Sequence, residues 1–435
     1  MSTLENLGSL LDSLQNIASL KKEDFHSKEK SFYEPLKFYF LRGVAIIDTI
    51  LSQSINQILH HETFQKLEMS WRSLLYLANQ IQDTNLVQIR ILDISREELS
   101  KDLNSALEFD QSEIFKKIYE NEFGIAGGIP FGVLIGDYEF GRKVVGNLSQ
   151  DINFLRLICQ IAAVAFCPFI TAVSPRFFGY DDFSEMGVGK DIKYIFESSH
   201  FQEWRNFRSE EETRFLGLIL PNTLVRTPYE RRNAEKEDFV FQEEFSSSAQ
   251  ASWGNASYAF ASILMRAFVE KGWFSEIRGT FTNMLEGGVV RGLPEDFPGQ
   301  KDNALVSNCP VNIQVTKKLE GILSELGFIS VCPAHYTKFV VFYNCHSVNT
   351  EKIYTHREAT INSRMSTMLH YILCMSRFVH YIKIIIRNKI GNFTDTEELE
   401  SYLQKWLKSY TADISHMSES LLATYPLLAL CTKKS

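Results

Sequence analysis

Between Arg156 and Arg176 the chain reads LICQIAAVAFCPFITAVSP, residues 157–175, and how this stretch divides decides the fold. Taken whole it is nearly long enough to cross a bilayer, which needs about 20 apolar residues. Gln160 and Pro168 interrupt it, and no second span of the kind is visible. Proline removes a backbone donor and disfavours helix in the residue before it. The stretch therefore reads as a buried helix over 151–166 followed by a buried strand over 168–173.

Outward from that pair, helix and strand keep alternating. Upstream, residues 32–80 carry a helical pattern in which Trp71, Leu74, Leu75 and Ala78 share one face. LVQIRILDI (86–94) alternates as a strand should, with Val87, Ile89 and Ile91 on one side. Two polar helical stretches run on through Glu122, and GGIPFGVLIGDYEF (127–140) reads as a glycine-rich turn entering a buried strand. Downstream come a helix over 201–213, a strand over 214–220 and a helix over 253–271. Strand-like runs follow at 311–315, 328–332 and 339–343, and helices at 359–390 and 396–410 close the chain. Mixed order of this kind predicts the α/β (mixed α+β) class, with mixed sheets flanked by helices.

Near the N-terminus, Leu4, Leu7, Leu11, Leu14 and Ala18 fall on alternating spacings of three and four, which predicts an amphipathic helix with a narrow seam. About two heptads cannot stand alone in water, so the seam needs a partner in its own domain or in another protein. Residues 21–30, KKEDFHSKEK, read as a solvated linker.

Across all 435 residues, 45% are hydrophobic and 23% charged, which fits a folded chain with a sizeable core. The net charge of −8 argues against nucleic acid, since neutralising phosphates takes a concentrated Lys/Arg surface. The seven cysteines are odd in number and mostly flanked by apolar residues, as buried thiols in a reducing compartment would be. Met1-Ser-Thr-Leu-Glu shows no basic stretch followed by an apolar one, so a cytoplasmic chain with no membrane insertion is expected.

The candidate chemistry thins out on inspection. Gly187-Val188-Gly189-Lys190-Asp191 evokes a phosphate loop, but Ser184 stands where its first glycine belongs, and Asp191 replaces the metal-binding hydroxyl. Gly127-Gly128-Ile129-Pro130-Phe131-Gly132 leads into a strand, whereas phosphate loops feed a helix N-terminus. Cys332, His335, Cys345 and His346 are the most tempting metal set. Adjacent residues of a strand point to opposite faces, which separates Cys345 from His346, and Cys332 ends an apolar strand. Asp137 and Glu139, two apart on a strand, are a possible carboxylate pair. Gly-x-Ser-x-Gly, His-Glu-x-x-His and Cys-x-x-Cys do not occur. No catalytic constellation, metal site or cofactor is expected. On 376–390, Arg377, His380, Lys383 and Arg387 form one cationic helical stripe opposite Phe378, Ile382 and Ile385. That stripe is either a solvated face or a surface that meets carboxylates on a neighbouring subunit.

Several long collinear blocks resemble the large sheath subunit of type VI secretion systems, the EvpB family (TssC/VipB type). They include LEMSWRSLLYL (67–77), DQSEIFKKIYENEFGIAGGIPFGVLIGDYEF (110–140), the SPRFFG turn (174–179) and IFESSHFQEWRNFRSEEETRFLGLILP (195–221). WGNASYAFASILMRAF (253–268), GWFSEIRG (272–279), LSELGFISVC (323–332) and YILCMSRFVHYIKIIIRNKIG (371–391) complete the set. The resemblance implies a structural protein and not an enzyme. It would pair with a small sheath subunit (TssB/VipA type) and polymerise as a helical sheath around an inner tube protein (Hcp type) on a baseplate. It also implies that the N-terminal region engages the small subunit and a disassembling AAA+ ATPase (ClpV type), with Leu4, Leu7, Leu11 and Leu14 as the contacts. On this reading residues 1–30 are a partner-binding arm and linker, 31–394 the sheath core, and 395–435 a short helical C-terminal region. Family members continue beyond the Tyr-Pro-Leu at 425–427 into strands that interlace neighbouring subunits, so a truncated, assembly-defective or regulatory paralogue is the expected rival. A zinc-dependent hydrolase using Cys332, His335, Cys345 and His346 is the rival from another class, and metal analysis separates it.

Overall fold

The computed structural model describes residues 29–81, 83, 85–125, 127–141, 148–187, 192–229, 239, 241–244, 251–280, 286–294, 309–334, 337, 339–389, 396–412, 425 and 427–428. The chain forms two compact units, residues 1–68 with 226–252 and residues 69–225 with 253–435. Leu4, Leu7, Leu11, Leu14 and His335 lie outside the described residues, as do 188–191 of the glycine-lysine turn.

In the smaller unit, helix α1 (Glu29–Leu59) runs for 31 residues. Its hydroxyls are absorbed locally: Thr49 Oγ1 donates to Ala45 O at 2.8 Å and Ser54 Oγ to Ile50 O at 2.9 Å. After His60 and His61, helix α2 (Glu62–Asn79) begins with an acidic residue, favourable at the positive end of the helix dipole.

The larger unit is organised by a five-stranded sheet. Its strands are β1 (Leu134–Phe140), β2 (Phe169–Val173), β3 (Leu216–Leu220), β4 (Ile329–Pro333) and β5 (Val340–Phe342), side by side in that order. The first four are parallel, and β5 returns antiparallel to β4. Neighbouring residues of one strand enter different cores: Leu216, Leu218 and Leu220 face one, while Ile170, Ile219, Ile329 and Val331 face the other. That is why LGLIL is apolar throughout, as parallel strands covered on both faces are. Helix α3 (Arg96–Ser105) opens with a capping box in which Ser95 and Glu98 satisfy each other's backbone N–H groups. Helix α4 (Leu148–Ala165) covers the first face with Phe154, Leu155 and Ile158. Helix α5 (Gln202–Arg208) adds Trp204 and Phe207 to that core, and helix α6 (Ser257–Lys271) covers the second face with Phe260, Ile263 and Leu264. Helix α7 (Lys317–Glu325) leads into β4. Helices α8 (Arg357–Ser366), α9 (Leu369–Lys389) and α10 (Thr396–Lys408) follow β5.

The SPRFFG block is where the first core is densest. Phe177 and Trp204 have ring centroids 5.0 Å apart, Trp204 stacks on Phe328 at 6.2 Å, and Phe196 meets Phe201 at 4.6 Å. Gly179 ends this turn at φ 79°, a left-handed conformation that side chains other than glycine resist.

Three expectations are corrected, and the buried face of α2 is defined. Among the described residues, 86–94 join no ladder; Ile89 packs on a small cluster with Leu77 and Tyr258, Ile94 packs on the main core, and Ile91 and Leu92 are exposed. Alternation sets which side chains share a face, but a strand also needs a neighbouring backbone. On α2, Trp71 and Leu75 are 64% and 58% exposed, while Ser73 and Leu77 are buried. The core takes the face of Tyr76, whose hydroxyl bonds Ser262 Oγ at 3.0 Å and donates to Arg291 O at 2.8 Å. The single helix expected over 359–390 breaks at Thr367–Met368. There Ser347 N–H donates to Thr367 O and Leu369 N–H to Cys345 O, both at 2.8 Å, so backbone groups pair across the break and not along a helix. The C-terminal region is not purely helical: Thr411–Ala412 pairs in parallel with Leu427–Leu428.

Candidate subunit interface

Helix α1 carries the most conspicuous uncovered apolar surface in the smaller unit. Phe40, Val44, Ile47, Leu51 and Ile58 are 57%, 49%, 50%, 45% and 56% exposed. At 100° per residue these five positions fall within about 60° of arc, while Phe38 and Leu41, also exposed, lie on other faces of the helix. Their spacing follows the heptad rhythm, so a second helix laid along α1 would meet them in one row. Full burial of such a side chain gains about 1.5–3 kcal/mol, so half-exposed ones leave on the order of 5 kcal/mol unrealised. Sequence reading marked residues 32–80 as helical without isolating this seam, although its spacing was there to be found.

The foot of the helix is held by buried charge. Arg226 Nε donates to Glu68 Oε1 at 2.7 Å, while its Nη1 and Nη2 donate to the two oxygens of Glu243 at 2.6 and 3.2 Å. The Glu243 carboxylate also accepts the Tyr229 N–H at 3.0 Å and bonds His60 Nε2 at 3.1 Å. The Arg226 guanidinium lies 4.6 Å from the Tyr229 ring centroid, and Glu244 N–H donates to Asn56 Oδ1 of α1 at 3.2 Å. Burial works to raise the Glu243 carboxyl, but the bonds from Arg226, Tyr229 and His60 outweigh it and hold it below the usual carboxylate range. Burial likewise opposes the Arg226 charge, and bonds to Glu243 and Glu68 reverse the balance. None of these residues was singled out from sequence; Arg226, Glu243 and Glu68 are too far apart along the chain for any spacing rule to join them.

The cations of the α9 stripe are half-buried and make contacts within their own chain. Arg377 donates to the Tyr381 hydroxyl at 2.8 Å and sits 4.6 Å from the Phe268 ring centroid. Lys383 Nζ lies 5.0, 4.9 and 4.9 Å from the rings of Tyr119, Phe123 and Phe166, an aromatic cage for an ammonium. Arg387 Nη1 donates to Phe123 O at 3.2 Å and Ile125 O at 3.0 Å, carbonyls at the end of the helical run Glu113–Phe123. His380 is buried, bonds Ala165 O at 2.9 Å through Nε2, and is pushed down to about 4 chiefly by burial. These contacts tie α9 to other parts of its own chain.

The other candidate chemistry stays dispersed. Cys332 and Cys345 are buried among apolar residues, and burial pushes both thiols up to about 12. Among the described residues no group of three or more His, Cys, Asp or Glu is placed to hold a metal ion. A bulge between Gly136 and Glu139 breaks the alternation of β1, and Asp137 is exposed beside Ser70 while Glu139 is half-buried. In the glycine-rich turn a Cβ on Gly128 would come within 2.3 Å of Glu122 O, and the Glu122 carboxylate accepts the Ile129 N–H at 2.9 Å. The turn is packed around an acid and offers no cradle for phosphate. By length and composition two helical stretches, Lys37–Leu59 and Leu369–Asn388, are apolar enough to cross a bilayer. The second contributes Leu369, Leu373 and Phe378 to the interior. The first contains Arg42 and Asp48, each costing about 3 kcal/mol near a bilayer centre.

With this geometry in place, the relatives can be compared. The family model of the EvpB tail sheath N-terminal domain matches residues 42–349, and that of the EvpB tail sheath gpW/gp25-like domain matches residues 358–432. The chain belongs to this family, the large subunit of type VI secretion system sheaths, and is a structural sheath component. It is 36% identical over 391 residues to the type VI secretion system sheath protein TssC1 of Pseudomonas aeruginosa, a match covering 89% of this chain and 77% of that protein.

Proposed function

We propose that the chain pairs with a small sheath subunit along the exposed seam of α1, and that the pairs polymerise in the cytoplasm as a helical sheath around an inner tube. The observation that carries this reading is the heptad row Phe40, Val44, Ile47, Leu51 and Ile58 standing uncovered within a chain of the sheath family. A helix that receives another helix works as i, i+3, i+4, i+7 anchors. Head-to-tail contacts that do not close into a ring then build a filament. The chain acts through surfaces and turns over no substrate. Contact with the inner tube protein, the baseplate and a disassembling AAA+ ATPase belongs to the same reading, with Leu4, Leu7, Leu11 and Leu14 as the segment that partners grip. Residues 1–30 serve as the arm, 31–394 as the core and 395–435 as the C-terminal region. Arg377, Lys383 and Arg387 hold α9 in place so that outward surfaces keep their shape, a role supported by the bonds of Lys383 and Arg387 to residues 119–125 and of Arg377 to Tyr381.

Co-purification with the small subunit tests this directly. Val44→Glu combined with Ile47→Glu places two charges in the seam; the variant should fold as the unchanged chain does and lose the small subunit. Retention of the small subunit at unchanged affinity overturns the assignment of α1.

A further inference from the structure

Residues 86–94 of the larger unit are held in place by their side chains, and their main chain is left open. Asp83 starts the segment: its Oδ1 accepts the Asn85 N–H at 2.8 Å and its carbonyl the Val87 N–H at 3.2 Å. At the far end Ile94 O accepts the Tyr138 hydroxyl at 2.9 Å. Between these points Arg90 pairs with Glu122 and lies 5.3 Å from the Phe131 ring centroid, while Ile89 packs on Leu77 and Tyr258. Among the described residues, no N–H or C=O of 88–93 bonds a protein group. Leu86, Ile91 and Leu92 are 52%, 67% and 49% exposed.

The kind of partner follows from what is open. A run of main chain with free donors and acceptors is matched along its length by another extended main chain, which adds to it as a strand. A helix has already spent its backbone groups on itself, and a bilayer interior offers none. The side chains agree, since LVQIRILDI alternates as a half-buried strand does. Proteins guard exposed edges with Pro, Lys or a bulge, and 86–94 contains no Pro, Gly or Lys. Because Ile89, Arg90 and Ile94 already fix the segment, little ordering remains to oppose docking. A second copy pairing through the same segment would make a two-fold contact that closes on itself, whereas the contacts of a sheath subunit must propagate.

We propose that residues 86–94 receive an extended strand of the small sheath subunit, main chain to main chain, which covers Ile91 and Leu92 as it docks. This rests on the reading that the chain pairs with that subunit, and it adds a contact in the larger unit to the one on α1. The incoming strand carries apolar side chains against Ile91 and Leu92 and a basic one near the exposed Asp93, as cross-strand pairs favour.

Hydrogen exchange on the full-length chain, alone and co-purified with the small subunit, tests this. Amides of 88–93 should exchange freely in the chain alone and at least about tenfold more slowly in the complex. A complex in which they stay fast overturns the proposal and leaves the pairing reading standing, while failure to form any complex overturns both. Protection that appears in the chain alone and grows with its concentration assigns the segment to a second copy and overturns the proposal as well. Proline substitution separates main-chain pairing from simple coverage. Neighbouring N–H groups of a strand point to opposite edges, so either Ile91→Pro or Leu92→Pro removes a donor from whichever edge receives the partner. Neither N–H bonds within the chain, so both variants should keep the unfolding midpoint of the unchanged protein. At least one should bind the small subunit about tenfold more weakly, whereas Ile91→Val, which keeps the donor, should bind as the unchanged chain does. Undiminished binding by both proline variants overturns the proposal, and the exchange measurement, which needs no variant, decides it if either misfolds.

Discussion

The sheet of the larger unit and helix α1 of the smaller one are both rich in Phe, Leu, Ile and Val, and they use these residues in opposite ways. Around the sheet every apolar run finds cover: Leu218 and Ile219 are adjacent in the chain, enter separate cores and are both fully buried. On α1 the apolar row stays open while charges do the anchoring, with Arg226, Glu68, Glu243 and His60 gathered at the helix foot. A hydrophobic core is non-directional and tolerates exchange of one apolar residue for another. A charge network holds one orientation, because losing either partner leaves the other buried and unpaired. The difference teaches that burial builds the body of the larger unit, while α1 keeps an apolar row uncovered.

Substitutions should separate the two regions in a fixed order of effect on folding. Trp204→Ala, in the middle of the aromatic cluster, should cost about 3–5 kcal/mol in denaturant unfolding and weaken the whole larger unit. A loss under about 1 kcal/mol would mean that the cluster is loosely packed. Arg226→Met leaves the Glu68 and Glu243 carboxylates buried together and should cost on the order of 3 kcal/mol, read as faster hydrogen exchange at 56–60 and 241–244 and not in the sheet.

Acid should distinguish the regions again. His370 and His380 are pushed down to about 3 and about 4 chiefly by burial, so the unfolded chain binds more protons than the folded one below about pH 6.5. The larger unit should lose stability as pH falls from there towards 4, and His380→Asn should flatten that slope. The held-down Glu243 carboxyl contributes stability present above the ordinary glutamate value and lost as pH falls through its own lower one. The clamp should therefore loosen only in stronger acid, which pH-dependent exchange of peptides over 241–244 would follow. The smallest effect on folding belongs to the seam: Leu51→Glu should change stability by less than about 0.5 kcal/mol, as exposed substitutions do, while weakening small-subunit binding more than any of the core changes does.

What could be read in the sequence follows from the same contrast. β2, β3 and β4 were legible because strands buried on both faces are continuous apolar runs bounded by polar residues. The SPRFFG turn was legible only as a block shared with the sheath family, and the helices at 148–165 and 257–271 through their length. The face of α2 was not, because it carries apolar residues on two sides and only the fold decides that Leu77 goes in and Trp71 stays out. The break at Thr367 depends on residues 345–347, which no local pattern reveals. The stripe Arg377, Lys383 and Arg387 was read as a row, but the rings and carbonyls around Lys383 and Arg387 lie more than 200 residues earlier, invisible to spacing. The charge clamp was missed for the same reason, with Arg226 meeting Glu68 from across 158 positions.

Electron microscopy of the chain co-expressed with its small subunit is the most direct test of the central claim that this protein works by the surface it presents. Tubes of regular diameter should form with the unchanged chain and with His380→Asn, and should be absent with the folded Val44→Glu, Ile47→Glu variant. Tubes assembled as readily by that variant would contradict the account.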